Sequence, residues 1–238
     1  MFPNTNPSTN PLNGSNPYLN AVNAPLKLIS DPLSPHLKVR FGQQTFNAEG
    51  VETLGPLFTR TIHWPGKGSG VTIGRGYDMK ERSASKIFRD LVAAGLGNGD
   101  AELFSQGALL TGAQADAFVH YRKESFPVMP LAVQKRLFED VVAPEMISDI
   151  SRILKKPDVT RIYGGLEWNN LSKPVQELLF DLRYRGDYKG ETRRFLQPLL
   201  VAGDMEGLRS TMENKSLWRS FGVPEDRIRA RIDMAKQL

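Results

Sequence analysis

The chain has 238 residues, 40% of them hydrophobic, with 31 Lys and Arg against 26 Asp and Glu for a formal charge of +5, and no cysteine. That apolar share at this length supports a real core and excludes a disordered chain. The absence of thiols excludes a disulfide framework and a thiolate metal site. The positive charge suits nucleic acid, anionic lipid or bacterial cell wall without choosing among them.

Residues 1 to about 23 are dominated by Asn, Pro and Ser, a composition that buries too little apolar surface to fold alone and reads as a leader. The chain stays proline-broken to residue 35, with Leu26, Leu28 and Ile29 as surface anchors, so the expected division is a leader over 1–35 and a folded domain over 36–238. Between His36 and Phe46, Leu37, Val39 and Phe41 alternate with Lys38 and Arg40, the period of a half-buried strand that Gly42 ends. Glu49-Gly50 then reads as a helix end or a tight turn. Prolines and glycines from Gly55 to Gly68 predict loops anchored by Leu57, Phe58, Ile62 and Trp64. In Gly70-Val71-Thr72-Ile73-Gly74-Arg75-Gly76-Tyr77-Asp78, β-formers alternate with glycines that let another backbone or a ligand approach closely.

After Asp78 the pattern is helical. Ser83 caps a helix with Ile87, Phe88, Leu91 and Val92 on one face, and Gly95 stops it. Thr111 and Gln114 have the spacing of a capping box ahead of Ala115, Phe118, Val119 and Tyr121. Residues 130–154 are helical with a break before Pro144, and Ser172 with Pro174 starts a strong helix that ends at Gly186. Helices over 195–201, 205–212 and 224–238 follow. The fold class is α+β and mostly α, with a small β-containing part over about 36–82 and a helical part over about 83–238.

His36, His63 and His120 lack metal-ligand spacing, and neither a Gly-Lys-Ser/Thr loop nor a Gly-x-Ser-x-Gly elbow is present. Carboxylate chemistry remains. Glycosidic cleavage takes one protonated carboxyl and one ionised carboxylate, roughly 6.5–9.5 Å apart for inversion or about 5–5.5 Å for retention. Glu49 and Asp78 are the candidate pair. Glu52 competes with Glu49, because on a helix the two would share a face, and spacing does not separate them.

Glu49-Gly50 followed by Thr72-Ile73-Gly74 and a nearby aspartate resembles the phage-lysozyme family of muramidases, built around a Glu, an Asp and a Thr beside a small β-sheet. With Asp78 after the threonine, the order is most similar to pesticin-like bacteriocins and to lysozyme-type effector domains of type VI secretion systems. The likeness continues through Ser172–Gly186, Trp218 and the basic Arg227–Arg231 helix, while residues 97–110 have no counterpart and the segment before Thr72 forms a larger loop. The resemblance implies a two-lobed lysozyme-like fold with Glu49 as general acid, Asp78 stabilising positive charge or activating water, and Thr72 holding that water. Arg75 and Tyr77 are then candidates to contact sugar or to shape the strand, and Asp181 and Arg185, on the helix expected to face the cleft, are candidates to contact substrate.

The implied function is a muramidase cutting the β-1,4 bond between N-acetylmuramic acid and N-acetylglucosamine, with no metal or organic cofactor. A lytic transglycosylase and a non-catalytic wall-binding module are the alternatives. The expected partners are peptidoglycan glycan strands, a cognate immunity protein and a secretion component, with no nucleic acid, no membrane insertion and a monomeric state. The N-terminus lacks a secretory-signal pattern, so the expected route is cytoplasmic synthesis with type VI export or phage-type release to the periplasm and wall.

Overall fold

The computed structural model describes residues 37–238. The chain divides into Met1–Asp31 and Pro32–Leu238, and the described residues belong to the second unit. The expected 1–35 leader, its anchors Leu26, Leu28 and Ile29, and His36 lie outside the described residues.

The described residues are mostly helical with one small antiparallel sheet, as the periodicity predicts. The first described residues differ from expectation. Leu37, Val39 and Phe41 are half-buried and alternate with exposed Lys38 and Arg40, but among the described residues the segment pairs with no strand, and it leads into helix α1 (Gln43–Ala48). Period two reports which side chains face inward; a ladder also needs a partner edge, and here Phe41 packs edge-on to Phe180 at 5.2 Å instead. Gly42 starts α1 rather than ending a strand, with φ of 74° and no room for a Cβ beneath the Phe180 ring.

The sheet consists of β1 (Thr72–Ile73) and β2 (Tyr77–Asp78), in register Thr72 to Asp78 and Ile73 to Tyr77. Isolated bridges from His63 to Thr72 and from Gly70 to Thr111 extend it. Then come α2 (Ala84–Ala93), α3 (Asn98–Ser105) and α4 (Ala113–Arg122). Ser83 caps α2 by accepting from the Lys86 N–H, and Gly95 follows its end at φ of 96°. The Thr111 capping box does not form: the Thr111 hydroxyl donates to the Gly68 carbonyl at 3.0 Å, and Gly112 takes the N-cap position. Tyr121, expected inward, is 80% exposed.

Helix α5 (Leu131–Leu137) continues through a π-helical turn, Phe138–Val142, into α6 (Ala143–Leu154). Pro144 has no N–H to give to a regular ladder, so the expected break appears as a local widening of a continuous helix. The remaining helices are α7 (Pro157–Tyr163), α8 (Lys173–Tyr184), α9 (Gly190–Ala202), α10 (Met205–Glu213), α11 (Lys215–Ser220) and α12 (Glu225–Ala235). One core runs from Phe46 to Ala235, with Phe46, Phe138, Phe180 and Tyr184 packed edge-on or tilted at centroid distances of 5.1–6.2 Å where α1, the π turn and α8 meet. No helix among the described residues is long and apolar enough to cross a membrane.

Candidate active site

The hairpin sets the first half of the site. The Thr72 N–H and C=O both pair with His63 at 2.9 Å, so neither is left for β2. Thr72 and Asp78 therefore face each other as a non-hydrogen-bonded pair, the closer of the two antiparallel pairings. His63, Thr72 and Asp78 form a cross-strand row. The Thr72 hydroxyl donates to the Gly70 carbonyl at 3.2 Å. The Asp78 carboxylate accepts from the N–H of Gly70 at 3.1 Å and of Lys80 at 2.9 Å, which fixes its direction. A side chain at residue 70 would overlap that carboxylate and come within 2.6 Å of the Lys80 nitrogen, which is why a glycine stands there. Asp78 opens on a cavity of about 390 Å³ rimmed by Lys80, Glu81, Arg82 and Glu145. His63 is buried, and that burial lowers its pKa to about 4, so it is neutral at pH 7.

Glu49 supplies the second half. It is the C-cap of α1 with its side chain 30% exposed, and its carboxylate accepts from Arg227 Nη1 at 2.9 Å. Arg227 and Arg231 lie one turn apart on α12, and both reach Asp181 of α8. Arg227 Nη2 is 2.7 Å from Asp181, and Arg231 Nε is 2.7 Å from it. Arg231 also meets Asp187 at 2.6 Å, and Asp187 takes Arg185 at 2.7 Å. Burial works against the Arg227 charge, but the carboxylates of Asp181 and Glu49 more than offset it and raise its pKa. Acids and bases thus alternate from α1 through α12 to α8, and each buried charge has an opposite partner.

Two clamps fix these halves to each other. Arg75, in the turn between β1 and β2, donates from Nη1 to the Phe46 carbonyl of α1 and lies 3.8 Å from the centre of the Phe46 ring. The Tyr184 hydroxyl of α8 donates to the Arg75 carbonyl at 2.6 Å. Gly50 and Gly76 leave the space: a Cβ at either would overlap the Arg75 guanidinium or the Tyr184 hydroxyl respectively. Gly76 has φ of 84° as well. The end of α1 and the hairpin turn are thereby joined.

Several expected roles change. Glu52 lies in an irregular segment rather than on a helix with Glu49. It accepts from Arg60 and Arg75 at 2.9 Å each and from Gln134 at 3.0 Å, so it serves as the counter-ion of two buried arginines. Arg75 is buried in that cluster and does not present its side chain to a ligand. Tyr77 is fully buried, with its hydroxyl donating to Asp90 at 2.7 Å. Asp181 is 1% exposed and consumed by two arginines and by the Thr45 hydroxyl at 3.0 Å. These three side chains point into the interior and are held by internal partners. Arg185 is turned toward Asp187 and the Gly222 carbonyl at 2.6 Å. Arg227, Arg231, Tyr184 and His63 were not expected in the site. The four-residue spacing of Arg227 and Arg231 on one helix face was the available signal for that pair.

Among the described residues, no group of His, Asp and Glu could hold a metal ion. No curated protein matches the chain. A family model described as a domain of unknown function, DUF8812, matches residues 42–232, a span that begins at the glycine opening α1, includes the hairpin, and reaches past Arg231. Since it takes in most of the chain and every residue of the clamp and charge cluster, the chain belongs to the DUF8812 family.

Proposed function

We propose that this protein is a peptidoglycan hydrolase of the muramidase type, with a two-lobed lysozyme-like arrangement. The observation that carries the reading is the pairing of a half-exposed glutamate at a helix end with a hairpin holding threonine opposite aspartate, the two bound together by Arg75 and Tyr184. Glycosidic cleavage needs two carboxyl groups held apart at a fixed separation rather than in contact, and a rigid link between their supporting elements is how a fold provides that.

In this reading Glu49 donates a proton to the leaving glycosidic oxygen. Arg227 holds the group in place through Nη1, while its Nε donates to Asp181 and its Nη2 lies 2.7 Å from the same carboxylate. Asp78, directed by two backbone N–H groups, faces the developing positive charge at the sugar carbon or activates water, and the neighbouring Thr72 hydroxyl orients that water. The positive charge of the chain attracts it to an anionic wall, an attraction that weakens with salt. The lytic action fits an antibacterial effector with a cognate immunity protein, delivered to the wall by type VI export or phage-type release.

Digestion of purified peptidoglycan followed by fragment masses tests the assignment. Hydrolysis leaves reducing ends carrying one added water. Anhydro ends would assign a lytic transglycosylase, and tight wall binding with no released ends would assign a binding module.

A further inference from the structure

A second cavity, of about 440 Å³, lies where α1, the start of α8 and the end of α12 converge, and the proposed reaction makes no use of it. Gln44 and Asn47 line it from α1, Lys173 and Glu177 from the start of α8, and Met234 and Gln237 from the end of α12. Glu177 is half-buried, and both of its oxygens accept from the Gly42 N–H, at 3.0 and 3.2 Å. Burial raises its pKa even though that N–H and the Lys173 charge oppose the shift. No Lys or Arg forms an ion pair with it among the described residues, so its desolvated charge lacks a counter-ion. Lys173, one turn earlier on the same helix, is exposed and also makes no ion pair among the described residues. Two opposite charges thus line one cavity without meeting.

The ligand that answers both charges is a zwitterion. A simple cation placed on Glu177 is repelled by Lys173, and a simple anion placed on Lys173 is repelled by Glu177. A zwitterion pairs its ammonium with Glu177 and its carboxylate with Lys173. The carboxylate end then lies toward the first turn of α8, whose backbone N–H groups the Ser172 side chain does not cap. The exposed carboxamides of Gln44, Asn47 and Gln237 donate and accept without adding charge, and Met234, buried at 6% exposure, offers an apolar wall to a small alkyl side chain.

We infer that the cavity between α1, α8 and α12 is a binding site for a zwitterionic α-amino acid head group, with its ammonium on Glu177 and its carboxylate on Lys173. A free amino acid and an amino-acid unit exposed on a wall peptide share that chemistry. The inference stands apart from the muramidase reading, because binding is read without cleavage.

The test titrates the full chain with alanine and leucine, each as both enantiomers, and with soluble wall peptides stripped of glycan. The NMR signals of the Met234 methyl and of the Gln44, Asn47 and Gln237 side-chain amides report binding, and they should move saturably. Movement with the free amino acids assigns the site to them; movement with the wall peptides alone assigns it to the wall. N-acetylated and carboxamide derivatives of the probe that binds each lack one charge and should bind about tenfold more weakly. The parent probe should lose a similar factor on Lys173→Met and on Glu177→Gln, with unchanged circular dichroism spectra. Lys173 is exposed, so Lys173→Met decides the matter if Glu177→Gln fails to fold. No saturable movement with any probe, blocked derivatives that bind as well as the parent, or unchanged affinity in Lys173→Met would overturn the inference. None of these outcomes bears on wall digestion, which is assigned to Glu49 and Asp78.

Discussion

Asp181→Asn tests the charge cluster that holds Glu49. The substitution keeps the shape of the side chain and removes its charge. It leaves Arg231, fully buried, with Asp187 as its sole counter-ion, and Arg227 with Glu49 as its sole counter-ion. Removing one partner of a buried ion pair costs about 3–5 kcal/mol, because the other charge stays desolvated. With a urea slope of about 2 kcal/mol per molar for a domain of this class, the unfolding midpoint should fall on the order of 1.5–2.5 M. Equilibrium urea unfolding followed by circular dichroism measures it. Wall digestion, assayed well below the shifted midpoint, should drop as well, since Arg227 is then free to bind Glu49 more fully. A loss below about 1 kcal/mol would mean that the cluster behaves like an exposed ion pair, and the account of how Glu49 is held would fail.

Three further outcomes are expected. His63 folds as a neutral imidazole with its pKa lowered from 6.5 to about 4, so the unfolded chain binds the extra proton between those values. Its contribution, of order 3 kcal/mol, is present above pH 6.5 and lost as the pH falls toward 4; urea midpoints at pH 7 and pH 4.5 should lie closer together in His63→Gln than in the wild type. Gly76→Ala places a Cβ against the Tyr184 hydroxyl at a positive φ, which should cost about 1–3 kcal/mol and reduce activity by loosening the clamp, whereas the same substitution at exposed Gly99, where a Cβ meets nothing within 4 Å, should leave both unchanged. Glu52→Gln strips the counter-ion from Arg60 and Arg75 and should lower the unfolding temperature clearly, while the protein that remains folded still digests wall.

Local chemistry was legible in the sequence where the interaction is local. Ser83 and Gly95 around α2, and Pro174 and Gly186 around α8, act through backbone groups a few residues away, so the pattern alone places those helices. Thr111 had the same local signal and lost it to a distant carbonyl, that of Gly68. The short helices α3, α7 and α11 went unseen because six to eight residues offer too few turns for a stripe. In the site, the glycine-thinned strand and its flanking carboxylates could be read directly. The burial of Arg75, Tyr77 and Asp181 could not, because a polar residue in a motif looks the same whether its partner is a ligand or a group elsewhere in the chain. Arg227 reaches Asp181 across 46 residues and Glu49 across 178, and only the fold brings them together.

Under the proposed function, Glu49 is the acid of a glycoside hydrolase and Glu52 is a structural counter-ion. Glu49→Gln and Glu52→Gln, each confirmed as folded and assayed on purified peptidoglycan for new reducing ends, test it directly. We expect a loss of about 10²–10⁴ in rate for Glu49→Gln with the fold retained, since Arg227 keeps Asp181 as a counter-ion, and retained cleavage for Glu52→Gln. Near-normal cleavage by Glu49→Gln, or an inactive but stable Glu52→Gln, would contradict it.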